Sequence, residues 1–256
     1  MNPDSKQKIV VVLGPTASGK TSLGIKIAKA LKTEIISTDA VQIFRGLDIG
    51  SAKPTAEELS EVKHAFINIK NADESYNAHE FMIDARQKIA ALSRNGQLPI
   101  LVGGSGFLVQ TVIGDRRLAD QDHPIVPPKA GIENRLYQAL LIGLTMPREI
   151  LYDHINRRVD LMFQQGLSQE AEKLLMQPGD FQSKKAIGYR EFKDYFFGNQ
   201  SLDRTKELIK QNTRHYAKRQ LTFFKNQFPD IQWFDAVQTA QNSQKIIDLV
   251  KKFNQS

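Results

Sequence analysis

Residues 9–21, which decide the fold, read Ile9-Val10-Val11-Val12-Leu13-Gly14-Pro15-Thr16-Ala17-Ser18-Gly19-Lys20-Thr21. The first five are apolar and mostly β-branched, which is typical of a buried strand. The next eight follow the spacing G-x-x-x-x-G-K-T, in which the glycines let backbone N–H groups turn towards a phosphate. Lys20 supplies positive charge to phosphate oxygens, and the Thr21 hydroxyl can bind Mg²⁺. An amphipathic pattern follows, so the stretch predicts a strand, a loop that binds a nucleotide or diphosphate, and a helix.

The composition of the whole chain is that of a globular protein in a reducing compartment. Of its 256 residues, 41% are hydrophobic and 25% are charged, which is enough for one large domain with a sizeable core. Cysteine is absent, which excludes disulfides and thiolate metal sites. The polar start and the short apolar run after it predict a cytoplasmic protein without a membrane partner. The net charge of +7 is compatible with a polyanionic partner or with a solvated basic surface.

A second strand is predicted at residues 34–39, and it ends in the carboxylate of Asp39. The carboxyl ends of strands in an open parallel sheet face the ligand crevice, so Asp39 should lie near the phosphate-binding loop. Three roles are open for this side chain: it can accept a proton from a substrate, hold Mg²⁺ through water, or cap the next helix. Residues 40–54 then predict an ordered active-site loop.

A third strand, residues 98–102, runs into the sequence Gly103-Gly104-Ser105. Glycines at a strand end allow close approach of a ligand to the backbone. Ser105 can present its hydroxyl to that ligand, cap the following helix, or do both. Residues 114–128 are polar and contain three prolines, which makes them the best candidate for a linker.

Two helices are predicted in the second half of the chain. One begins near Pro147 and carries an apolar face formed by Leu151, Ile155, Val159 and Met162. The other covers residues 203–227, and its buried stripe is expected at Ile209, Thr213, Tyr216 and Phe223. A second face of this helix carries Lys206, Lys210, Arg214 and Lys218, four residues apart. Such a row is either solvated or binds phosphates, and the near-absence of acids within it favours phosphate binding.

These parts describe an α/β P-loop transferase, and several motifs resemble those of one family. The tRNA dimethylallyltransferase family is similar to this chain at residues 14–21, 36–44, 46–54, 101–106, 143–148, 187–191 and 217–222. The resemblance implies a P-loop NTPase-like parallel sheet flanked by helices, with a helical C-terminal part. It also implies transfer of a dimethylallyl group from dimethylallyl diphosphate to the N6 amine of the adenosine just 3′ of the anticodon in tRNA.

The resemblance implies roles for individual residues. The loop formed by Gly14, Pro15, Thr16, Ala17, Ser18, Gly19, Lys20 and Thr21 holds the diphosphate leaving group instead of ATP. Asp39 accepts the amine proton, Ser105 hydrogen-bonds the bridging oxygen, and Arg219 together with Mg²⁺ near Thr21 stabilises the charge of the leaving group. With the basic helix included, the candidate tRNA-binding residues are Asp39, Ala40, Val41, Gln42, Lys53, Arg214 and Lys218.

The sequence departs from the family at four places. Ala40 replaces a common serine, Ser105 a usual threonine, and Lys225 an arginine, whose bidentate phosphate contact lysine cannot reproduce. Other members carry a helical insertion between residues 114 and 140 that grips the anticodon stem. Here residues 114–138 are interpreted as a remnant linker within a single domain spanning residues 1–256.

Three hypotheses follow. The first is a monomeric prenyltransferase with an intact prenyl site and a weakened grip on tRNA. The second is a small-molecule P-loop kinase, which would need an arginine-bearing lid over ATP that the sequence does not clearly show. The third is a tRNA- or nucleotide-binding protein without turnover.

Overall fold

The protein was analysed as a computed structural model, which describes residues 6–114 and 135–256. In these residues a single sheet of six parallel strands has the order β3-β2-β4-β1-β5-β6. The strands are β1 (Lys8–Leu13), β2 (Ile35–Ser37), β3 (His64–Ala65), β4 (Ile100–Gly103), β5 (Gln138–Thr145) and β6 (Gln232–Asp235). The helices are α1 (Lys20–Leu31), α2 (Ala56–Glu61), α3 (Ala78–Arg94), α4 (Gly106–Ile113), α5 (Arg148–Gln164), α6 (Leu167–Leu175), α7 (Lys193–Phe196), α8 (Leu202–Gln227) and α9 (Thr239–Gln255). The predicted fold class is confirmed.

The central strand β1 explains why its sequence is apolar throughout. It pairs with β4 on one side and β5 on the other, and helices cover both faces of the sheet. Successive side chains of a strand point to opposite faces. Accordingly, Ile9, Val11 and Leu13 pack in one half of the core, whereas Val10 and Val12 pack in the other. The strand, loop and helix predicted from residues 9–21 are all present.

Helices α5 and α8 pack against each other beside the sheet. The predicted apolar face of α5 is buried as expected, at Leu151, Ile155, Val159 and Met162. The prediction for α8 is confirmed at Ile209 and Thr213 and is wrong by one residue at Tyr216 and Phe223, which are half-buried. The buried stripe consists of Thr205, Ile209, Thr213, Ala217, Gln220 and Phe224. The sequence reading chose the aromatic side chains of Tyr216 and Phe223. The 3.6-residue period instead buries the smaller Ala217 and the polar Gln220 beside them.

The predicted linker falls mostly outside the described residues. Residues 115–134 lie in the gap between the two described ranges, so this interpretation stays a prediction. At the two edges of the gap, Gly114 and Arg135 form an antiparallel bridge. The Arg135 guanidinium also makes a two-bond ion pair with Asp230, in which both N···O distances are 2.6 Å. Across residues 6–114 and 135–256, every helix is too short or too polar to cross a membrane.

Candidate active site

The phosphate-binding loop joins β1 to α1. Its turn uses positive φ at Ala17 and Gly19, with φ of 65° and 83° respectively. Helix α1 begins at Lys20 directly after the turn, and its first turn carries no acidic side chain. The N–H groups at a helix start and the positive end of the helix dipole attract anions. The loop therefore offers an anion site at the edge where the strands end.

A cavity of about 350 Å³ opens beside the loop. The structure brings together here residues that are far apart in the sequence, including Thr16, Asp39, Arg158, Tyr216 and Arg219. Residues 50–52 and residues 185–188 also line the cavity. The lining thus combines one carboxylate with three arginines, Arg158, Arg190 and Arg219, next to a phosphate-binding loop. Asp39 lies beside the loop, as its position after β2 predicts.

Arg158 is the main residue of the site that the sequence reading missed. Its guanidinium donates a hydrogen bond to the Thr16 hydroxyl. Its buried Nε has no hydrogen-bond partner within the described residues. Burial lowers the pKa of Arg158 to about 10, and the nearby charge of Asp39 opposes this shift. Arg158 is still protonated at neutral pH, so it places a fixed positive charge in the cavity.

Lys20 lies in the same electrostatic environment. Burial and the charge of Arg158 lower the pKa of Lys20 to about 8, while Asp39 raises it. Its ammonium donates a long hydrogen bond of 3.4 Å to the Pro15 carbonyl oxygen. Two cations, Lys20 and Arg158, therefore interact with each other and with the one carboxylate of Asp39. An anion bound at the loop would relieve their mutual repulsion.

Asp39 makes local hydrogen bonds that narrow its possible roles. Its Oδ1 accepts from the backbone N–H groups of Val41 at 2.9 Å and Gln42 at 3.3 Å. It therefore caps the turn at residues 40–43 and not a helix, which was one of the three roles considered. Both bonds use one oxygen, which leaves Oδ2 available for a proton or for a metal-bound water. The other two roles predicted for Asp39 remain open.

Gln220 on α8 connects two loops of the site. Its Oε1 accepts from the Thr16 backbone N–H at 2.9 Å, and its Nε2 donates to the Gly104 carbonyl oxygen at 2.9 Å. Ser105 caps α4 by accepting from the Leu108 N–H at 3.3 Å. A Cβ placed on Gly104 would lie 3.6 Å from the Lys20 ammonium nitrogen. The turn that carries Ser105 thus lies against the phosphate-binding loop, and the predicted helix cap is confirmed.

Arg219 and Tyr216 lie on α8 where the cavity meets solvent. Arg219 is exposed, and its guanidinium carbon lies 5.9 Å from the centroid of the Tyr216 ring. Burial raises the pKa of Tyr216 to about 12, and the charge of Asp39 adds to the shift. Tyr216 therefore remains neutral at physiological pH and keeps its hydroxyl proton. Arg219 contacts a ring face, whereas Arg158 is hydrogen-bonded to the phosphate-binding loop.

The candidate tRNA-binding residues of the loop 40–54 fall into two groups. Val41 lines the cavity and Ala40 is exposed. Gln42 and Lys53 instead hold the loop together from within. The Gln42 amide donates to the carbonyl oxygens of residues 51 and 52 at 3.4 and 3.3 Å. The Lys53 side chain is only 3% exposed, and its ammonium binds the Phe44 carbonyl, the Asp48 carboxylate and the Asn68 amide oxygen. A role of either residue towards tRNA stays a prediction.

The basic row of α8 is partly compensated, contrary to the sequence interpretation. Asp160 on α5 binds both Lys206, at 2.7 Å, and Lys210, at 3.0 Å. Arg214 donates to the Asn156 side-chain oxygen at 2.7 Å. Lys218 is exposed and has no ion pair within residues 6–114 and 135–256. The interpretation is therefore wrong for the first half of the row, because the neutralising acid comes from another helix.

The site has few ligands for a metal of its own. The described residues contain no cluster of three or more acidic or histidine side chains that could hold an ion. The buried hydroxyls of Ser18 and Thr38 have no hydrogen-bond partner there. Mg²⁺ commonly takes one or two protein oxygens and completes its shell with phosphate oxygens and water. Thr21 and Asp39 are compatible with that arrangement.

Comparison with known proteins decides the family. A family model described as IPP transferase matches residues 42–130 and 121–227. The chain belongs to the IPP transferase family. A tRNA dimethylallyltransferase of Oenococcus oeni is 60% identical over 254 residues, which cover 99% of each chain. A solved tRNA isopentenylpyrophosphate transferase of Bacillus halodurans is 36% identical with a TM-score of 0.89, covering 98% of this chain and 97% of that one. As a family member the chain is a transferase enzyme, and the kinase and binding-only hypotheses are not favoured.

Some family members are longer than this chain and others have a similar length. A tRNA dimethylallyltransferase of Bacillus cytotoxicus is 38% identical over 293 aligned positions, which cover 92% of each protein. Because 293 exceeds the 256 residues of this chain, that relative has residues that this chain lacks. The two family-model segments overlap at residues 121–130, within the predicted linker. The Oenococcus relative aligns over nearly its full length, so it shares the shorter form.

A signal for Arg158 was present in the sequence. Arg158 follows Ile155 by three residues and precedes Met162 by four, so it lies on the edge of the predicted apolar face of α5. A charged side chain in that position must be paired or must serve a site. Its connection to Thr16, however, depends on how α5 packs over the loop, which the periodicity does not reveal.

Proposed function

We propose that this chain transfers a dimethylallyl group from dimethylallyl diphosphate to the N6 amine of the adenosine directly 3′ of the anticodon in tRNA. The observation that carries the proposal is the cavity beside the anion-binding loop, which Arg158 and the carboxylate of Asp39 line and with which the buried Lys20 interacts electrostatically. The names of the relatives, tRNA dimethylallyltransferase, support the transfer of a dimethylallyl group to tRNA. The kinase alternative has no comparable observation in its favour.

The cations act on the leaving group. The allylic C–O bond breaks and leaves its electron pair on the diphosphate, so negative charge grows there during the reaction. Lys20, Arg158 and the N–H groups of the loop stabilise that charge because they are already in place. Arg219 adds a third cation from the cavity entrance. Ser105 lies on the adjacent turn, where we propose that it hydrogen-bonds the bridging oxygen.

Asp39 acts on the acceptor. A new C–N bond forms between the dimethylallyl carbon and the N6 nitrogen, which then carries an excess proton. Asp39 accepts this proton through Oδ2 while Oδ1 remains bound to the N–H groups of Val41 and Gln42. These two bonds fix the carboxylate in one orientation. The products are the prenylated amine, the diphosphate and one proton on Asp39.

We also propose that Mg²⁺ assists the reaction. The Thr21 hydroxyl would bind it directly, with phosphate oxygens and water completing the shell. When bound, the ion neutralises part of the diphosphate charge. The same proposal places the enzyme in the cytoplasm as a monomer, with tRNA as its macromolecular partner.

The proposal is tested with dimethylallyl diphosphate labelled in the prenyl group. Bulk tRNA and labelled AMP are offered as competing acceptors, and ATP hydrolysis is followed in parallel. We expect label in tRNA at a single adenosine position, with no transfer by a Lys20→Met variant. ATP turnover without prenyl transfer would establish the kinase function instead. Binding of both substrates without transfer would reduce the chain to a binding protein.

A further inference from the structure

Glu170 on α6 makes an unusual set of contacts with the loop 40–54. Its two carboxylate oxygens accept hydrogen bonds from the backbone N–H groups of Asp48 at 2.8 Å, Ile49 at 2.9 and 3.1 Å, and Gly50 at 2.8 Å. Three successive N–H groups that converge on one anion form a nest. Here the anion is a side chain of the protein itself. The loop segment 48–50 is therefore fixed from outside by a single carboxylate.

Tyr189 completes this arrangement from the other side. Its hydroxyl donates to Glu170 Oε1 at 2.7 Å, and the side chain is fully buried. Burial and the charge of Glu170 raise the pKa of Tyr189, which keeps its hydroxyl a donor. A Cβ on Gly50 would lie 2.5 Å from Cζ of the Tyr189 ring, so only glycine fits there. Tyr189 and the loop are in direct contact at Gly50.

The contacts join two segments that line the cavity. Residues 50–52 belong to the first, and residues 185–188, directly before Tyr189, belong to the second. The two segments meet at their glycines, because a Cβ on Gly188 would lie 3.4 Å from the Gly50 carbonyl oxygen, and they form one continuous wall. Glu170 binds the first segment through the backbone N–H of Gly50 and the second through the Tyr189 hydroxyl. One side chain thus holds this wall together, although Glu170 is not among the residues that line the cavity.

We propose that Glu170 is a positioning residue that holds residues 48–52 and 185–189 in the arrangement that receives the acceptor adenine. The inference rests on the proposed function, because it assigns this wall of the cavity to the acceptor. The diphosphate is held by the loop 14–21 and Arg158, and Glu170 contacts neither of them. Glu170 therefore acts on acceptor binding and leaves diphosphate binding unchanged.

The Glu170→Gln variant separates these effects. Both oxygens of Glu170 act only as acceptors, so an amide in the same place directs an NH₂ group at one or more N–H donors. The volume is retained, but the wall loses at least one hydrogen bond to a charged acceptor. Tyr189→Phe removes the other half of the bridge and keeps the ring against Gly50. Glu172→Gln is the matched control, because Glu172 is exposed on the same helix.

The variants are compared in steady-state prenylation of an anticodon stem-loop RNA. For Glu170→Gln we expect the KM for RNA to rise about 10- to 100-fold, in line with loss of a hydrogen bond to a charged group. The Kd for a thio analogue of dimethylallyl diphosphate should change less than about twofold, which is too small to indicate a lost contact. Tyr189→Phe should raise the same KM by a smaller factor, and Glu172→Gln should match the wild type. Hydrogen exchange at the N–H groups of residues 48–50 should be faster in Glu170→Gln than in the wild type. It should be unchanged in Glu172→Gln.

Three results would overturn the inference. They are an unchanged KM for RNA in both Glu170→Gln and Tyr189→Phe, an equal loss of affinity for the diphosphate analogue, and unchanged exchange at residues 48–50. A loss of folded enzyme alone would lower the apparent kcat and leave KM unchanged, so it also counts against a positioning role. A wild-type protein that prenylates no RNA would overturn the proposed function first, and the inference with it. Normal wild-type activity with an indifferent Glu170→Gln variant would overturn only the inference.

Discussion

The guanidinium of Arg158 donates a hydrogen bond to the hydroxyl of Thr16, so helix α5 is fastened directly to the phosphate-binding loop. The two residues are 142 positions apart in the chain. Because Nε of Arg158 is buried and has no partner in the described structure, the guanidinium retains a donor for a further acceptor. A phosphate oxygen bound in the loop would accept this hydrogen bond.

Replacement of Arg158 should slow the chemical step. We expect Arg158→Ala to lower the single-turnover rate of prenyl transfer by about 10²–10³, the range found when a preorganised donor to developing charge is removed. Arg157→Ala is the control: Arg157 is 76% exposed and pairs only with Asp153 within the described residues. Such a surface pair contributes little. An equal fall in the single-turnover rate for both variants would show that Arg158 has no specific role in the chemical step.

Replacement of Asp39 tests its role as a base. Asn retains the oxygen that accepts from Val41 and Gln42, so Asp39→Asn should leave the turn intact. Turnover should fall by about 10²–10⁴, while the Kd of the diphosphate stays near the wild-type value. Calorimetry with and without Mg²⁺ provides the measurement. Loss of Mg²⁺-dependent diphosphate binding in a folded variant would make Asp39 a metal-site residue instead.

The choice of ligand should be visible in thermal stability. A ligand that binds only the native state stabilises it by mass action. Dimethylallyl diphosphate or its thio analogue should therefore raise the Tm more than ATP at the same concentration. Scanning fluorimetry over a concentration series measures both shifts. A larger shift with ATP would favour the kinase function.

The pKa of Lys20 predicts a pH dependence of diphosphate binding. In the ligand-free protein this pKa is lowered from its model-peptide value of 10.5 to about 8. A bound anion raises it again, so binding takes up a proton above pH 8, and affinity should fall by up to about tenfold per pH unit. Calorimetry in two buffers of different ionisation enthalpy measures the proton uptake. Lys20→Met should bind weakly and without this slope, and a wild-type affinity independent of pH from 7 to 10 would contradict the prediction.

The lowered pKa of Lys20 also makes the free energy of unfolding depend on pH, and this quantity changes in the opposite direction to diphosphate affinity. Between about pH 8 and 10.5 the unfolded chain binds more protons at Lys20 than the folded chain does. The contribution of Lys20 to the free energy of unfolding of the ligand-free protein therefore rises with pH over this range. Below pH 8 the destabilising effect of burying the protonated Lys20 side chain is fully present.

Salt dependence distinguishes the two halves of the basic row on α8. A log–log slope of about −0.7 to −0.9 is expected for each phosphate neutralised. Lys218→Ala should make the slope for binding of a stem-loop RNA shallower by about one such unit. Lys206→Ala should leave it nearly unchanged, since Asp160 already pairs with Lys206. Fluorescence anisotropy across a salt series provides both slopes.

The same measurement tests the predicted weak grip. A cognate loop and one with a changed base next to the anticodon should bind with similar Kd, because contacts to phosphates do not read sequence. Tight, salt-tolerant binding that strongly prefers the cognate loop would show that another part of the chain replaces the insertion. Equal slopes for Lys206→Ala and Lys218→Ala would contradict the assignment of Lys218.

The sequence predicted those features that depend on neighbours along the chain. The strand β1, the loop at Gly19 and Lys20, and the buried face of α5 follow from local spacing, and all were found where expected. Contacts between distant elements were not predictable in this way. Asp160 neutralises lysines on another helix, and Glu170 binds a loop far from its own helix. Each of these acids is an ordinary helical residue when only its own segment is considered.

The bridge between Gly114 and Arg135 holds together the two residues that flank residues 115–134. Leu136 donates its N–H to the Ile113 carbonyl at 2.9 Å, and Arg86 donates to the Gly114 carbonyl at 2.7 Å. With both ends fastened to the core, the entropic cost of the intervening chain grows only slowly with its length. Segments of different length can therefore evolve between these two residues at little cost in stability. A foreign RNA-binding module could be inserted there without redesign of the catalytic domain.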